Sequence, residues 1–529
     1  MAHAFPIETM TDRSTRRCVL LVVDALSVEV LQRHLGSSKL PNLTKLVEGH
    51  GQMHPCLSIF PSITPAATCS IATGHYPVRH GIEGACWFDR EKDEVAYFGD
   101  DFQLLGERGL HDYLVDFGVR LNDQRLQVPT IYQLAADQQI DSACINFMWF
   151  AGPHEHTRKT PWFLRLIAGK LPESVQGPKY LKLGDFAETL PIDGAADSSH
   201  GLTGRYGFSD ETTANCLLAM AKAGEIPRLT VGYFPENDDA SHSVGPEEAA
   251  NSVLVRFDVF LGQFIEEMGG WSRLGDDFDL LIVGDHGQTE YPKEGPRTVQ
   301  LDQVLKSFQL ARVGKGWCDG DDVFICPNMR AAGVYLRDPD DVSLHTRVVD
   351  QLLREPGVDQ VIYEADDGSR CVTTRHRGHL RFRRAEAVGE ADGEDSYGNR
   401  WQLDGDLHCL DCRIEDGRVV EGGAYPNPLE RIDGSFVSGS RPIWVTAVDG
   451  VEFGVQETRQ HSGGSHASLN YSDSASALLT SSGVDLSVLD DPERPRIIDV
   501  VSLCLNVLHS PVAESLPLTA SGPSSSFGE

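Results

Sequence analysis

Four hydroxyls, Ser62, Thr64, Thr68 and Ser70, crowd one Pro-bounded stretch of the chain. It reads F-P-S-I-T-P-A-A-T-C-S-I-A-T-G-H-Y-P-V-R-H-G-I from Phe60 to Ile82. A hydroxyl placed just ahead of a helix meets free N–H groups and the positive end of the helix dipole, which favour nearby negative charge. An alcohol of this kind becomes a nucleophile when a base or a metal ion lowers its pKa. Acids and imidazoles suited to that task recur elsewhere. Asp24 closes the run R-C-V-L-L-V-V-D-A, and Asp238 and His242 lie in P-E-N-D-D-A-S-H-S-V-G-P, directly after R-L-T-V-G-Y-F. Asp285 and His286 end D-L-L-I-V-G-D-H-G, and His466 closes the G-G-S-H run. Carboxylates and imidazoles together suit a borderline-soft cation such as zinc.

Each of these residues also has a plain structural explanation. Asp24 is either a ligand or the N-cap of the helix expected over Ser27–His34. Asp238 and His242, expected in a loop, would otherwise cap the helix Pro246–Met268 and face solvent. The Asp285-His286 pair is the more specific signal, because a following glycine lets adjacent side chains turn towards one ion. His461 competes with His466 and is the weaker candidate, since no tight turn frames it. Cys409 and Cys412, with His408 beside them, lack a second pair to complete a zinc site and read as ordinary thiols.

The elements that must position these groups follow from hydrophobic patterning. The continuous apolar runs Arg17–Ala25, Ser142–Phe147, Arg228–Phe234 and Asp279–Gly287 suit strands of a parallel sheet buried on both faces. Ligands of such sheets gather at the carboxyl ends of the strands, where the acids stand. Pro129–Ala136, Asp210–Ala223 and the amphipathic Pro246–Met268 read as helices, the first with Pro in its opening turn. Trp87–Val95 reads as a polar surface segment. Phe150–Gly207 is irregular and is expected to form a lid or a substrate-facing excursion. Ala331–Arg337, Leu344–Arg354 and Asp359–Tyr363 read strand, helix, strand. The basic run Arg375–Arg384 is expected on a solvated strand face, with help in holding an anionic substrate as the alternative, Ala385–Asn399 as a mobile acidic loop, Pro442–Val448 as a strand and Ile497–His509 as a helix or strand-helix that closes the core. The tail from Leu516 is expected to be disordered.

Composition bounds the partners. The chain has 529 residues, 40% hydrophobic and 23% charged, with a net charge of −32. Such acidity argues against nucleic acid duplexes or an anionic membrane as partners. It leaves room for a small phosphorylated substrate, because bound cations set the local charge. No run is apolar enough to cross a bilayer, Met1–Arg17 lacks the apolar core of a secretory signal, and the 12 cysteines are dispersed. A cytoplasmic setting is the expectation from these features.

The order V-V-D-A-L, the Phe60–Ile82 stretch, D-D-A-S-H-S-V-G-P, G-D-H-G and G-G-S-H-A-S-L resembles the alkaline phosphatase superfamily, within it the type I phosphodiesterase/nucleotide pyrophosphatase branch. The resemblance implies an α/β three-layer sandwich around a mostly parallel sheet with an inserted α+β subdomain. The core would cover 15–315 and 441–512, the insertion 316–440, and a tail 513–529. It further implies two zinc ions, with Mn2+ or Mg2+ as lesser alternatives. Asp238, His242 and His466 would hold one, and Asp24, Asp285 and His286 the other. Thr64 would bridge to the second ion as the nucleophile and form a phospho-threonine intermediate in a phosphoric ester hydrolase.

The sequence departs from the family pattern twice. The Asn expected three residues after the nucleophile, a hydrogen-bond donor to phosphate, is Ala67. Either Thr68 or a backbone N–H replaces it, or the substrate is not a nucleotide diester, which keeps phosphomonoesterase, phosphonate C–P hydrolase and phosphomutase activities in view. The Gly expected after His466 is Ala467. A silent binding protein that keeps the fold is disfavoured, because clustered carboxylates are costly to retain without a role.

Overall fold

A computed structural model of the chain describes residues 16–98, 116–159, 172–192, 206–294, 297–312, 316–456 and 458–509. An eight-stranded sheet forms its centre, in the order Gly51–Leu57, Ala475–Ser481, Phe278–Val283, Arg17–Val23, Leu229–Phe234, Ser142–Ile145, Tyr180–Leu183 and Ala187–Thr189. The five strands from Phe278–Val283 to Tyr180–Leu183 run parallel, and antiparallel partners flank them on both sides.

The strand Arg17–Val23 shows why the fold has three layers. Successive side chains of a strand point to opposite faces, and here both faces are buried. Cys18, Leu20 and Val22 join one apolar cluster with Ile71 and Ala72 of the helix Thr64–Thr73 and with Leu503 and Val507 of the helix Val500–His509. Val19, Leu21 and Val23 join the other, with Leu31, Leu217, Leu261 and Phe264 from the helices Val28–His34, Asp210–Ala223 and Val255–Glu267. A strand covered on both sides needs no polar residues to alternate with its apolar ones, hence the unbroken V-L-L-V-V run.

A second, ten-stranded sheet lies beside this core. It runs in the order Val323–Asn328, Ala331–Leu336, Ile443–Ala447, Val358–Glu364, Arg370–Thr374, His379–Arg384, Arg400–Gly405, Gly393–Glu394, Arg418–Glu421 and Cys412–Glu415. Ile443–Ala447, which the sequence reading assigned to the returning core, pairs antiparallel with Ala331–Leu336 and Val358–Glu364 inside this sheet.

Other local expectations change for identifiable reasons. Trp87, Phe88 and Val95 are buried, not on the surface, because Phe88 packs against Phe324 and Tyr335 of the second sheet. Ala385–Asn399 is not a free loop: Asp395 accepts hydrogen bonds from the Tyr397 and Asn399 amides and the Trp401 indole. Thr130 caps the helix Ile131–Asp137, so Pro129 precedes the cap instead of opening the helix. Within the expected Phe150–Gly207 excursion, the hairpin His154–Thr157/Ser174–Gly177 and the edge strands Tyr180–Leu183 and Ala187–Thr189 are regular. Residues 160–171 and 193–205, and the tail from Leu516, lie outside the described residues. The basic run does form an exposed strand face, where Arg381 pairs with Asp367 and Arg384 with Asp433.

One buried carboxyl ties the Phe60–Ile82 stretch to the second sheet. Glu83 accepts hydrogen bonds from Ser440 Oγ at 2.7 Å and Tyr335 Oη at 3.1 Å. Burial pushes its pKa up to about 8 against these donors. A raised folded-state value means that the native chain keeps this proton while the unfolded chain loses it near the ordinary Glu value of about 4.3. Stability from this group is therefore lost as pH climbs towards 8. Glu83→Gln is expected to gain stability relative to the native chain over that window, by on the order of a few kcal/mol at most, read as the difference in Tm between pH 5 and pH 9.

Candidate active site

All seven predicted site residues meet at the carboxyl edge of the central sheet. Asp24 follows the strand Arg17–Val23, and Asp285 and His286 follow Phe278–Val283. Asp238 and His242 are not in a loop: they stand one turn apart on the helix Glu236–Val244, which brings both to one face. Thr64 opens the helix Thr64–Thr73, which is buried on nearly every side and ends on Gly74 in the left-handed conformation at φ 74°. His466 follows the short strand Gly464–Ser465.

The glycines at these turns serve close approach more than backbone rotation. A Cβ at Gly287 would lie 2.2 Å from the Ser472 carbonyl oxygen, and one at Gly463 would lie 2.1 Å from the Gly245 nitrogen. Both loops are thereby pressed against their neighbours.

Thr64 Oγ1 lies 3.1 Å from His286 Nε2 and 3.5 Å from Asp24 Oδ1. One ligand atom from each of Asp238, His242 and His466 falls within 4.8 Å of the others, and the same holds for Asp24, Asp238 and His286. Asp238 thus belongs to both groups. Asp285, expected in the second, stands beside it with Oδ2 3.4 Å from His286 Nε2. Its Oδ1 accepts the backbone N–H groups of Ala25 at 3.1 Å and His286 at 3.0 Å.

The three imidazoles share one orientation. Nδ1 of His242 donates to the Gly464 carbonyl at 2.9 Å, Nδ1 of His286 to Gly287 at 2.9 Å and Nδ1 of His466 to Ser62 at 2.8 Å. With Nδ1 engaged in this way, Nε2 of each ring is the nitrogen aimed into the cluster, the arrangement a metal-binding imidazole requires. The donor set also bears on whether a cation fits here. Asp238 Oδ1, His242 Nε2, Asp285 Oδ2 and His466 Nε2 are buried without a hydrogen-bond partner. Buried polar atoms are ordinarily paired, and four orphaned acceptors around one point fit divalent cations.

Charge in the cluster is unbalanced in the same sense. Burial, then the neighbouring Asp285 and Asp238 carboxylates, push Asp24 well above the usual carboxylate range. Burial also raises Asp285. Burial opposes ionisation of Asp238 too, yet His242 beside it holds it below its ordinary value. His242 is reciprocally raised to about 9, its own burial outweighed by Asp238. Burial and the facing His286 drive His466 well down.

Sequence reasoning missed the groups that hold this cluster in place. Tyr233 Oη donates to Asp24 Oδ2, and Asn237 Nδ2 donates to the carbonyls of Asp24 and Ala25 at 3.0 Å each. Tyr233 was hidden in an apolar strand run, and Asn237 next to the more conspicuous Asp238. His461 is close but not among the grouped ligands: its ring stacks on His242 at 4.1 Å and its Nδ1 binds Glu452 at 2.8 Å. Cys409 and Cys412 are buried free thiols.

The question left by Ala67 is narrowed. Thr68 Oγ1 donates to the Thr64 carbonyl at 2.5 Å and accepts from Trp149 Nε1 at 2.9 Å. Its proton points back along the helix, so it is no substitute donor for phosphate. Ala467 adopts φ 96°, a conformation in which glycine carries no penalty and alanine does.

A family model described as type I phosphodiesterase / nucleotide pyrophosphatase matches residues 18–394. The protein is thus an enzyme of the alkaline phosphatase superfamily, a hydrolase acting on phosphoric ester or phosphoanhydride bonds. Within that superfamily the chain belongs to the type I phosphodiesterase / nucleotide pyrophosphatase family, which is metal-dependent. The match ends before His466. Murine ectonucleotide pyrophosphatase / phosphodiesterase 5 is similar in structure, with a TM-score of 0.54 at 14% identity over 94% of this chain and 96% of that one. An inactive form of that protein has been solved with AMP, at a TM-score of 0.53, 14% identity and the same coverage. Phosphonoacetate hydrolase from Sinorhizobium meliloti 1021, solved with phosphonoformate, matches at a TM-score of 0.54, 15% identity, 94% of this chain and 96% of that one. Identities this low speak for a shared fold. Among the described residues no helix is long and apolar enough to cross a membrane.

Thr68→Val separates a structural hydroxyl from a phosphate-binding one. It strands the Trp149 N–H and is expected to cost about 1–3 kcal/mol of stability, read as a lower Tm, while KM for a phosphoester substrate stays unchanged.

Proposed function

We propose that the protein is a two-zinc phosphoric ester hydrolase in which Thr64 is the nucleophile and a phospho-threonine is the intermediate. The observation that carries this reading is the set of orphaned acceptors on Asp238, His242, Asp285 and His466, gathered at the sheet edge beside Thr64. Asp238, His242 and His466 would hold one ion, and Asp24, Asp285 and His286 the other, with Asp238 within reach of both. Bound there, zinc would supply Lewis acidity to lower the hydroxyl pKa and to neutralise charge on a transferring phosphoryl group. Three imidazole nitrogens in the set, two of them in one group, support zinc over Mg2+, which prefers oxygen ligands.

The chain's own groups account for positioning. Thr64 sits on the first turn of a buried helix whose end is fixed at Gly74, so its Oγ1 enters the site with little freedom. Attack of Oγ1 on phosphorus releases the alcohol or phosphate leaving group. Water then cleaves the phospho-threonine, regenerating the hydroxyl and releasing the phosphorylated product. The N-terminal turn of the helix is favourable for the negative charge of the phosphoryl oxygens.

The substrate class we favour is a small soluble diester or pyrophosphate. A second reading, a phosphomonoesterase, phosphonate C–P hydrolase or phosphomutase on the same site, is favoured by one specific observation: Ala67 provides no side-chain donor and the Thr68 hydroxyl is engaged elsewhere. All twelve cysteines are unpaired, which supports a cytoplasmic setting.

Two measurements test the proposal. Metal analysis of the purified chain is expected to give two zinc ions per molecule. Thr64→Ala is expected to keep that zinc while losing about a thousandfold or more in kcat on bis-p-nitrophenyl phosphate. Full turnover by the variant, or a chain free of zinc, would sink it. Rates on bis-p-nitrophenyl phosphate, p-nitrophenyl phosphate and phosphonoacetate rank the two readings.

A further inference from the structure

The loops carrying His286 and His466 come from distant parts of the chain, yet a single buried ion pair grips both. Asp473 and Arg330 are each fully buried, with Arg330 Nη1 2.6 Å from Asp473 Oδ1. On the Asp473 side, Oδ2 accepts the Ser468 N–H at 2.9 Å, two residues beyond His466. The backbone carbonyl of Asp473 accepts the Gly287 N–H at 2.9 Å, next to His286. Thr289 Oγ1 donates to Asp473 Oδ1 at 2.5 Å and accepts from Arg330 Nη1. On the other side, the Arg330 backbone N–H donates to the His466 carbonyl at 2.8 Å. The guanidinium also reaches the carbonyls of Val448 at 3.2 Å and Val451 at 3.3 Å. Arg330 directly precedes the strand Ala331–Leu336 of the ten-stranded sheet.

We infer that Arg330, Asp473 and Thr289 form a positioning unit that sets the distance between the His286 and His466 imidazoles and makes the ten-stranded sheet part of the catalytic scaffold. The two rings lie face to face, 3.7 Å between centroids and 16° from parallel, although each Nε2 serves a different ligand group. Stacked imidazoles do not fix their own spacing. Their backbones must: the short antiparallel ladder of Thr289–Glu290 with Gly464–Ser465 joins the two loops directly, and the ion pair braces both of them from behind. A buried ion pair is a poor device for bulk stability, since apolar replacements of similar volume do as well or better. Its use here is geometric, because a carboxylate accepts several donors at once and a guanidinium donates in several fixed directions.

The inference rests on the reading of His286 and His466 as metal ligands, and the experiment separates the two. Zinc affinity is measured by competition with a chromophoric chelator, and kcat and KM on bis-p-nitrophenyl phosphate, for Asp473→Asn, Arg330→Met and Thr289→Val. The control is Asp279→Asn, which breaks the buried Arg16–Asp279 pair at the opposite, amino end of the strands. Partners of metal-binding histidines are typically worth about 10- to 100-fold in affinity or activity. Asp473→Asn and Arg330→Met are expected to lose that much in zinc affinity and kcat with KM little changed, and Thr289→Val several-fold. Asp279→Asn is expected to lower Tm and leave zinc affinity alone. Should the two ion-pair variants fail to fold, Thr289→Val decides. A native chain that binds two zinc ions, with affinity and kcat within twofold in the folded variants, overturns this inference alone. A native chain that binds none overturns the metal reading beneath it.

Discussion

Asp24, Asp238 and Asp285 converge beside the carboxyl ends of three adjacent strands, Asp24 and Asp285 buried and Asp238 partly so. Two like charges at the 4.8 Å limit that groups Asp24 with Asp238 repel by roughly 3 kcal/mol even at an effective dielectric of 20. That is a large share of the about 5–15 kcal/mol that holds an ordinary domain together. The neighbourhood is arranged around this repulsion. Tyr233 answers one oxygen of Asp24, two backbone amides answer one oxygen of Asp285, and the His242 and His466 imidazoles face Asp238. Asp24 and Asp285 each have one oxygen held by the protein, while both oxygens of Asp238 face imidazoles. The raised pKa of Asp24 answers part of the remainder, and a divalent cation bound among the carboxylates would answer more of it.

A buried cluster of this kind tolerates little movement, and the surrounding packing reflects that. Asp24 and Asp285 directly follow doubly covered parallel strands, and Asp238 shares its helix with His242. The imidazoles come from a helix and two loops, and they need anchoring from outside the central sheet. His466 is held to the Ser62 carbonyl on one side and to Arg330 on the other, so the nucleophile's own segment is tied to the ligand loop. Arg431, also fully buried, reaches the carbonyls of Ile59 and Leu469 at 3.1 and 3.2 Å and joins the same two segments from the second sheet's side. The ten-stranded sheet is thus bonded to the site at its back, whatever else it does at its exposed face.

What was legible in the sequence tracks the range of the interactions involved. The central strands show as V-L-L-V-V and L-L-I-V because burial on both faces is a local property of each residue. The acids and imidazoles of the site show by recurring together after apolar runs, and Thr64 shows by its place in the family pattern. Their partners do not. Asp473 sits in an unremarkable N-Y-S-D-S run, and Arg330 next to an apolar strand gives no sign that both will be fully buried and paired across 143 positions. The placement of Ile443–Ala447 failed for the same reason: strand character is local, but the sheet a strand joins is decided by distant partners. The helix Glu236–Val244 was misread as a loop because its polar run E-N-D-D-A-S-H-S has no apolar stripe. Its buried face is made by Asn237, Ser241 and His242, of which Asn237 bonds to the Asp24 and Ala25 carbonyls and His242 to that of Gly464.

The two departures from the family pattern have different weight once the geometry is considered. Ala467 changes the cost of a conformation without changing the conformation. The residue keeps φ at 96°, and the Ser62–Ala467 bridge and the His466–Ser62 hydrogen bond hold it there, so the neighbouring ligand stays aimed at the cluster. Ala67 changes chemistry. A buried methyl offers nothing to a phosphoryl oxygen, and the next hydroxyl along the helix is committed to Thr64 and Trp149. What remains on the helix side of the site is backbone, whose N–H groups recognise charge on phosphorus without regard to what is esterified to it. Discrimination between substrates then falls to the groups that meet the leaving group.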